Sequence, residues 1–314
     1  MSSVLVNVVP VFILILVGWV SAKTGILKEE TGDALGEFVF KIAVPMLIFR
    51  TLTDAHFEGV SPFRLWMAYF LGVAVTWATG HLIATRVFGR DAKLGVITGM
   101  SASFANNVFI GLPLVAHIVG KDGLVALSIL LAIHLPLMMV AGTILMEGAV
   151  ARTDGREKRG IMAILKQVGT NLARNPLVIA LLAGVIFNLL GLHLTPVIAT
   201  VVDQLSAAAG PVALLSIGMA LTRYQIRGDI GLSGTAALLK LTLLPAVVFL
   251  AGHLLGLPAD WTAALVLTAS VPTGINAWLI AQRFRAGHSL AASVISITTA
   301  FGVVTVSFWA WLLG

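Results

Sequence analysis

Residues 101–113 read Ser-Ala-Ser-Phe-Ala-Asn-Asn-Val-Phe-Ile-Gly-Leu-Pro, and residues 268–278 read Thr-Ala-Ser-Val-Pro-Thr-Gly-Ile-Asn-Ala-Trp. Each segment lies in the middle of a long apolar stretch. Each places small, polar and helix-disrupting residues where a membrane-spanning helix should run unbroken. Lipid tolerates opened backbone only where protein buries it or a watery cavity solvates it. Two such interruptions in matching places of two half-sequences point to a solute site built from broken helices.

The surrounding chain fits that setting. Mean hydropathy is +1.00, 58% of the 314 residues are hydrophobic and 11% are charged. Soluble domains carry roughly 25% charged residues, so the expected class is an all-α integral membrane protein. The net charge of +6 does not indicate a nucleic-acid partner, because the basic residues fall in loops between apolar stretches. Met1-Ser2-Ser3-Val4 offers no basic n-region, so the first apolar stretch reads as a retained helix. The chain has no Cys, which excludes a disulfide, a thiolate metal site and a cysteine nucleophile.

At ~20 residues per span, ten helices are expected, near residues 4–22, 34–53, 63–88, 93–119, 124–147, 175–193, 197–222, 230–255, 260–283 and 288–312. Fifteen Lys and Arg follow the odd-numbered helices and three follow the even-numbered ones. That asymmetry places the odd-numbered loops in the cytoplasm and both termini outside.

A shift of 166 residues lays Pro10 on Pro176, Gly18 on Gly184, Gly25 on Gly191 and Pro45 on Pro211; one more residue lays Ala102-Ser103 on Ala269-Ser270. Ten helices then divide into five plus five: residues 1–150, a cytoplasmic linker 151–174, and residues 175–314. Five is odd, so the second copy enters the membrane from the opposite side. The expected architecture is two inverted five-helix repeats, with broken helices 4 and 9 crossing at midspan.

Each break frees amides at the start of one half-helix and carbonyls at the end of the other. The amides near Asn107-Val108 and Gly274-Ile275 favour an anion, and the carbonyls favour a cation. Asn106, Asn107, Thr273 and Asn276 add neutral donors and acceptors, which hold a charged solute without placing a fixed charge in lipid. Pro113 and Pro272 are the expected helix breakers. The plainer alternative for each segment is a simple proline kink with Asn as interhelical glue.

Asn106-Asn107-Val108-Phe109-Ile110-Gly111-Leu112-Pro113 resembles the helix 4 motif of the auxin efflux carrier family, and Val271-Pro272-Thr273-Gly274-Ile275 resembles its helix 9 counterpart. Ala281-Gln282-Arg283-Phe284 and Ser296-Ile297-Thr298-Thr299 extend the likeness, which covers essentially the whole chain. The family is similar in architecture to bile-acid/sodium symporters. The resemblance implies a scaffold of helices 1, 2, 6 and 7 that often dimerises, and a moving transport unit of helices 3–5 and 8–10. It assigns crossover roles to Asn106, Pro113, Pro272 and Gly274; Asn107 and Asn276 match by proximity. Plant auxin carriers have a long hydrophilic loop between halves, whereas here it is about 27 residues. The chain looks like the bacterial members, which are associated with small carboxylates such as malonate and malate. The implied location is the bacterial cytoplasmic membrane, and the implied partners are a small organic anion, lipid and a second copy of the chain.

Two groups inside spans carry further readings. Lys240, in helix 8, is a counter-ion either for an anionic solute or for a cluster of chain carbonyls. His134, in helix 5, relays protons or bonds a neighbouring helix, and the bond is the preferred reading. No Asp or Glu falls near midspan, so the coupling ion stays open between Na+ and H+, or none. No cofactor or metal is expected. Gly231-Leu232-Ser233-Gly234 and His253 suggest a serine hydrolase, but twenty positions on one helix separate Ser233 from His253 by about 30 Å, and a nucleophile needs its base within ~3 Å. The function expected is a secondary transporter of a small carboxylate by alternating access. Its alternatives are a sodium-coupled symporter of a bile-acid-like or other organic solute and a non-transporting sensor on the same fold.

Overall fold

The computed structural model describes residues 2–55, 61–154 and 161–314. The basic residues Arg156, Lys158 and Arg159 lie outside them. Among the described residues the chain is helical and has no strand. Helix occupies each of the ten apolar stretches. These are α1 (Ser2–Lys23), α2 (residues 29–53), α3 (Pro62–Val87), α4 in halves α4a (Ala92–Ser103) and α4b (Asn107–Ile118), and α5 (Lys121–Asp154). They continue with α6 (Pro176–Leu189), α7 (Pro196–Ala220), α8 (Ile230–Leu254), α9 in halves α9a (Ala259–Ser270) and α9b (Asn276–Arg283), and α10 (His288–Leu313). Among the described residues, six helices are long and apolar enough to cross a membrane.

Three boundaries differ from expectation. Helix α2 starts at Glu29, because Glu29 and Glu30 in its first turn suit the positive helix end. Helix α5 runs for 34 residues, about 50 Å at 1.5 Å per residue, and so outreaches a ~30 Å hydrocarbon core. The linker holds a further helix, Ile161–Ala173. The spacing of Ile161, Ile164, Leu165, Val168 and Leu172 carries its i, i+3, i+4 signal.

Three helices widen to a π turn immediately ahead of a proline. The turns are Val39–Ala43 before Pro45, Asn107–Gly111 before Pro113 and Leu239–Leu243 before Pro245. Proline has no N–H to give and its ring presses on the carbonyl four residues back. In all three cases that carbonyl falls within the wider turn, which accommodates the ring without breaking the helix.

Two close helix contacts organise one side of the molecule. Helix α1 lies on α7, where a Cβ at Gly18 would stand 2.2 Å from the Leu215 carbonyl oxygen and one at Gly218 would stand 2.0 Å from that of Ile15. Helices α2 and α7 run antiparallel, clasped at both ends. The Arg223 guanidinium grips Asp33 through two bonds of 2.8 and 2.9 Å, and Arg50 Nε donates to Asp203 at 2.7 Å. Each helix thus carries an acid near its start and a base near its end, the arrangement its own dipole favours.

Candidate functional site

Helix α4a stops at Ser103 and α9a at Ser270, twelve residues into each. The Ser103 hydroxyl bonds back to Gly99 O at 2.8 Å and the Ser270 hydroxyl to Leu267 O at 2.8 Å, contacts that loosen a helix end. Phe104 is extended, at φ −90 and ψ 102. Val271 is extended, at φ −67 and ψ 159, as required of a residue preceding proline.

The two extended segments meet. Ala105 and Thr273 form an antiparallel bridge, with Asn106 N–H donating to Pro272 O at 3.0 Å and Gly274 N–H to Phe104 O at 2.8 Å. Each break therefore satisfies backbone groups of the other, which is what an apolar surround requires. The approach is close: a Cβ at Gly274 would stand 3.1 Å from the Ala105 carbonyl oxygen.

A cavity of about 240 Å³ adjoins this crossing. Its wall includes residues 104–109 and 274–276, with Phe40 of α2, Leu131 and His134 of α5, and Leu177 of α6. The starts of α4b and α9b both border it. The first amides of a helix lack partners within it, so two positive helix ends converge there. Among the described residues no Lys, Arg, Asp or Glu lines it. A larger cavity of about 1010 Å³ lies between α1, α2, α7 and α4b, but its charged lining includes Arg50, Asp54 and Asp203, which pair among themselves. The smaller cavity is the better candidate, because it holds the broken backbone ends.

The sequence candidates divide on this geometry. Asn106, Asn107, Gly274 and Asn276 line the cavity. Asn106 Oδ1 accepts from Phe109 N–H at 3.4 Å and caps α4b. The Asn107 amide turns toward α3, its Nδ2 3.3 Å from the Tyr69 hydroxyl. Thr273 does not line the cavity: its hydroxyl donates to Ser101 O at 2.8 Å and its amide to Thr298 Oγ1 at 3.0 Å, so it stitches the crossing together. Pro272 sits in the break. Pro113 does not break α4; the interruption is upstream at residues 104–106, and Pro113 follows the π turn.

Lys240 is fully buried and donates to Ala269 O and Val271 O, each at 2.6 Å. Of its two readings, the carbonyl cluster is the one the geometry shows. His134 makes no interhelical bond through Nε2, which is buried and unpartnered. Its ring packs edge-on against Phe104 and Tyr69, with centroids 5.1 and 5.5 Å away, and stacks on Phe70 at 6.2 Å. Sequence reading missed this aromatic cage, since α3 and the break supply it from distant positions. Ser233 and His253 both lie on α8, twenty residues apart.

Comparison with known proteins fits this geometry. A family model described as membrane transport protein matches residues 3–310. The chain belongs to the membrane transport protein family. The resemblance to auxin efflux carriers read from the sequence agrees with that membership. Full-length relatives of this transport protein include an uncharacterized transporter of Methanothermobacter thermautotrophicus, 28% identical with 98% of this chain and 97% of the relative covered. Another, from Methanocaldococcus jannaschii, is 26% identical with 96% of each covered. A Rhizobium meliloti protein named "Putative malonate transporter" is 26% identical, covering 98% of this chain and 95% of that one. Family and relatives are transporters by name, not enzymes.

Proposed function

We propose that this transport protein carries a small organic anion across the bacterial cytoplasmic membrane by alternating access, binding the solute carboxylate in the cavity beside the α4/α9 crossing. The observation that carries the reading is the convergence of two helix starts on a cavity without fixed charge. Partial positive charge from α4b and α9b meets the anion, while Asn106, Asn276 and His134 Nε2 orient it. The volume supports a small solute: about 240 Å³ is below the ~300–1,000 Å³ typical of drug-sized ligands, and so argues against a bile-acid-like molecule. The malonate name of the Rhizobium relative makes malonate the first solute to try.

The wider proposal is ten spans in two inverted repeats, with both termini outside. Structural equivalences support it. Gly25 and Gly191, paired by the 166-residue shift, both take positive φ after α1 and α6, at +77° and +62°. Gly18 lets α1 approach α7, and its counterpart Gly184 lets α6 approach α2. Helices α4a and α9a have equal length and end at the matched serines. Packing of α1 on α7 and α6 on α2 also supports a scaffold unit; packing of α3 and α8 on each other and on α4a and α9a supports a transport unit. A homodimer through the scaffold completes the reading.

Uptake of radiolabelled malonate into proteoliposomes tests it, with and without Na+ and with an imposed pH gradient. Accumulation supports the transporter. Saturable binding without accumulation identifies a sensor. A strict Na+ requirement identifies the sodium-symporter alternative.

A further inference from the structure

The two negative helix ends at the crossing are already occupied. At the end of α4a, Ser101 O accepts from the Thr273 hydroxyl and Phe104 O accepts from Gly274 N–H. At the end of α9a, Ala269 O and Val271 O accept from Lys240 Nζ. Both lysine bonds are short, at 2.6 Å, just under the ~2.7–2.9 Å of charge-assisted N–H···O bonds. The side chain comes from the π turn of α8 and is fully buried. Among the described residues no carboxylate pairs with it. The helix end and its carbonyls are the counter-charge shown for a buried lysine.

We propose that Lys240 is a tethered cation filling a monovalent-cation site at the carbonyl end of the crossing, so that transport needs no alkali cation there. The inference rests on the transport reading for its meaning, but the site itself can be tested by binding alone. Truncating the side chain in Lys240→Ala removes three methylenes and the ammonium. It leaves two desolvated carbonyl oxygens facing a gap shaped for a primary alkylammonium. n-Propylammonium matches the missing atoms, and Na+ is a smaller occupant of the same charge. Lys240→Met fills the alkyl part of the gap with apolar atoms and leaves no room for n-propylammonium.

The experiment is thermal unfolding of the detergent-solubilised full chain at constant ionic strength in sodium, choline or n-propylammonium chloride. The wild type should unfold at the same temperature in all three. Lys240→Ala should unfold earlier in choline and regain roughly 2–4 °C in n-propylammonium, while Lys240→Met gains nothing. A wild-type midpoint raised specifically by Na+ would overturn the proposal, as would a Lys240→Ala midpoint indifferent to n-propylammonium. If Lys240→Ala cannot be purified, the wild-type comparison still decides. These outcomes do not depend on transport: a protein that shows the ammonium rescue yet accumulates no carboxylate keeps the cation site and loses the transport reading.

Discussion

The amide of Asn106 donates to the carbonyl of Pro272 at 3.0 Å, joining the two interrupted helices across 166 residues of sequence. Gly274 returns the bond to Phe104 O at 2.8 Å. Between them the two breaks form one structural unit, which would move as one piece under the alternating access proposed above.

Gly274→Val should therefore damage the crossing. Even the first added carbon stands 3.1 Å from both Ala105 O and Phe104 Cδ1, and valine adds two methyls to that crowded position. A loss of roughly 1–3 kcal/mol is expected from such overpacking. Gly234→Ala is the control: a Cβ there meets nothing within 4 Å, and the change should stabilise α8 by about 0.5–1 kcal/mol. Paired denaturation curves in detergent check both signs.

Asn106→Ala should separate function from stability. The cap bond to Phe109 N–H is long, at 3.4 Å, so the stability cost should stay at or below about 1 kcal/mol. Solute flux should fall by an order of magnitude or more, because the loss of a hydrogen bond to a charged group costs ~1.5–3 kcal/mol. Expression-normalised uptake measures this, and uptake at the wild-type rate would remove Asn106 from the site.

His134→Phe should preserve the aromatic cage of Phe104, Tyr69 and Phe70 while deleting Nε2. The variant should fold with an unfolding midpoint near wild type and bind malonate roughly tenfold more weakly, the equivalent of ~1.4 kcal/mol. Calorimetric titration of both proteins decides this. Equal affinities would make His134 a packing residue only.

Asp229 gives a pH prediction outside the spans. The Leu232 amide, and then Arg90, hold its carboxyl below the ordinary carboxylate range. A depressed folded value means stability that is present above the unfolded pKa of ~3.9 and lost as pH falls through the folded value. The stability gap between wild type and Asp229→Asn should therefore be constant from pH 7 to about pH 4 and shrink below it. A gap that opened at acid pH would contradict the assignment.

Much of this was legible in the sequence. Asn106, Asn107, Pro272 and Gly274 stand out because lipid makes polar and helix-breaking residues costly at midspan, so their mere presence marks a built interruption. The location of the α4 break was less legible. Pro113 acts on the turn before it, and the π turn absorbs its effect, so the chain opens at Phe104–Asn106 instead. Thr273 reads as a solute ligand in one dimension, yet its hydroxyl is spent on Ser101 of α4a. The unpartnered nitrogen of His134 was invisible for the same reason: its neighbours arrive from α3 and the break.

The chain contains no cysteine, so a single one can be placed at will. Val108→Cys puts a thiol in the cavity wall, and Val87→Cys puts one on the exposed surface. The rate of modification by a small methanethiosulfonate is measured with and without a carboxylate that the protein transports. A solute held at the crossing slows modification of Val108→Cys and leaves Val87→Cys unchanged. Equal rates at Val108→Cys, with saturating solute and intact transport, would place the binding site elsewhere.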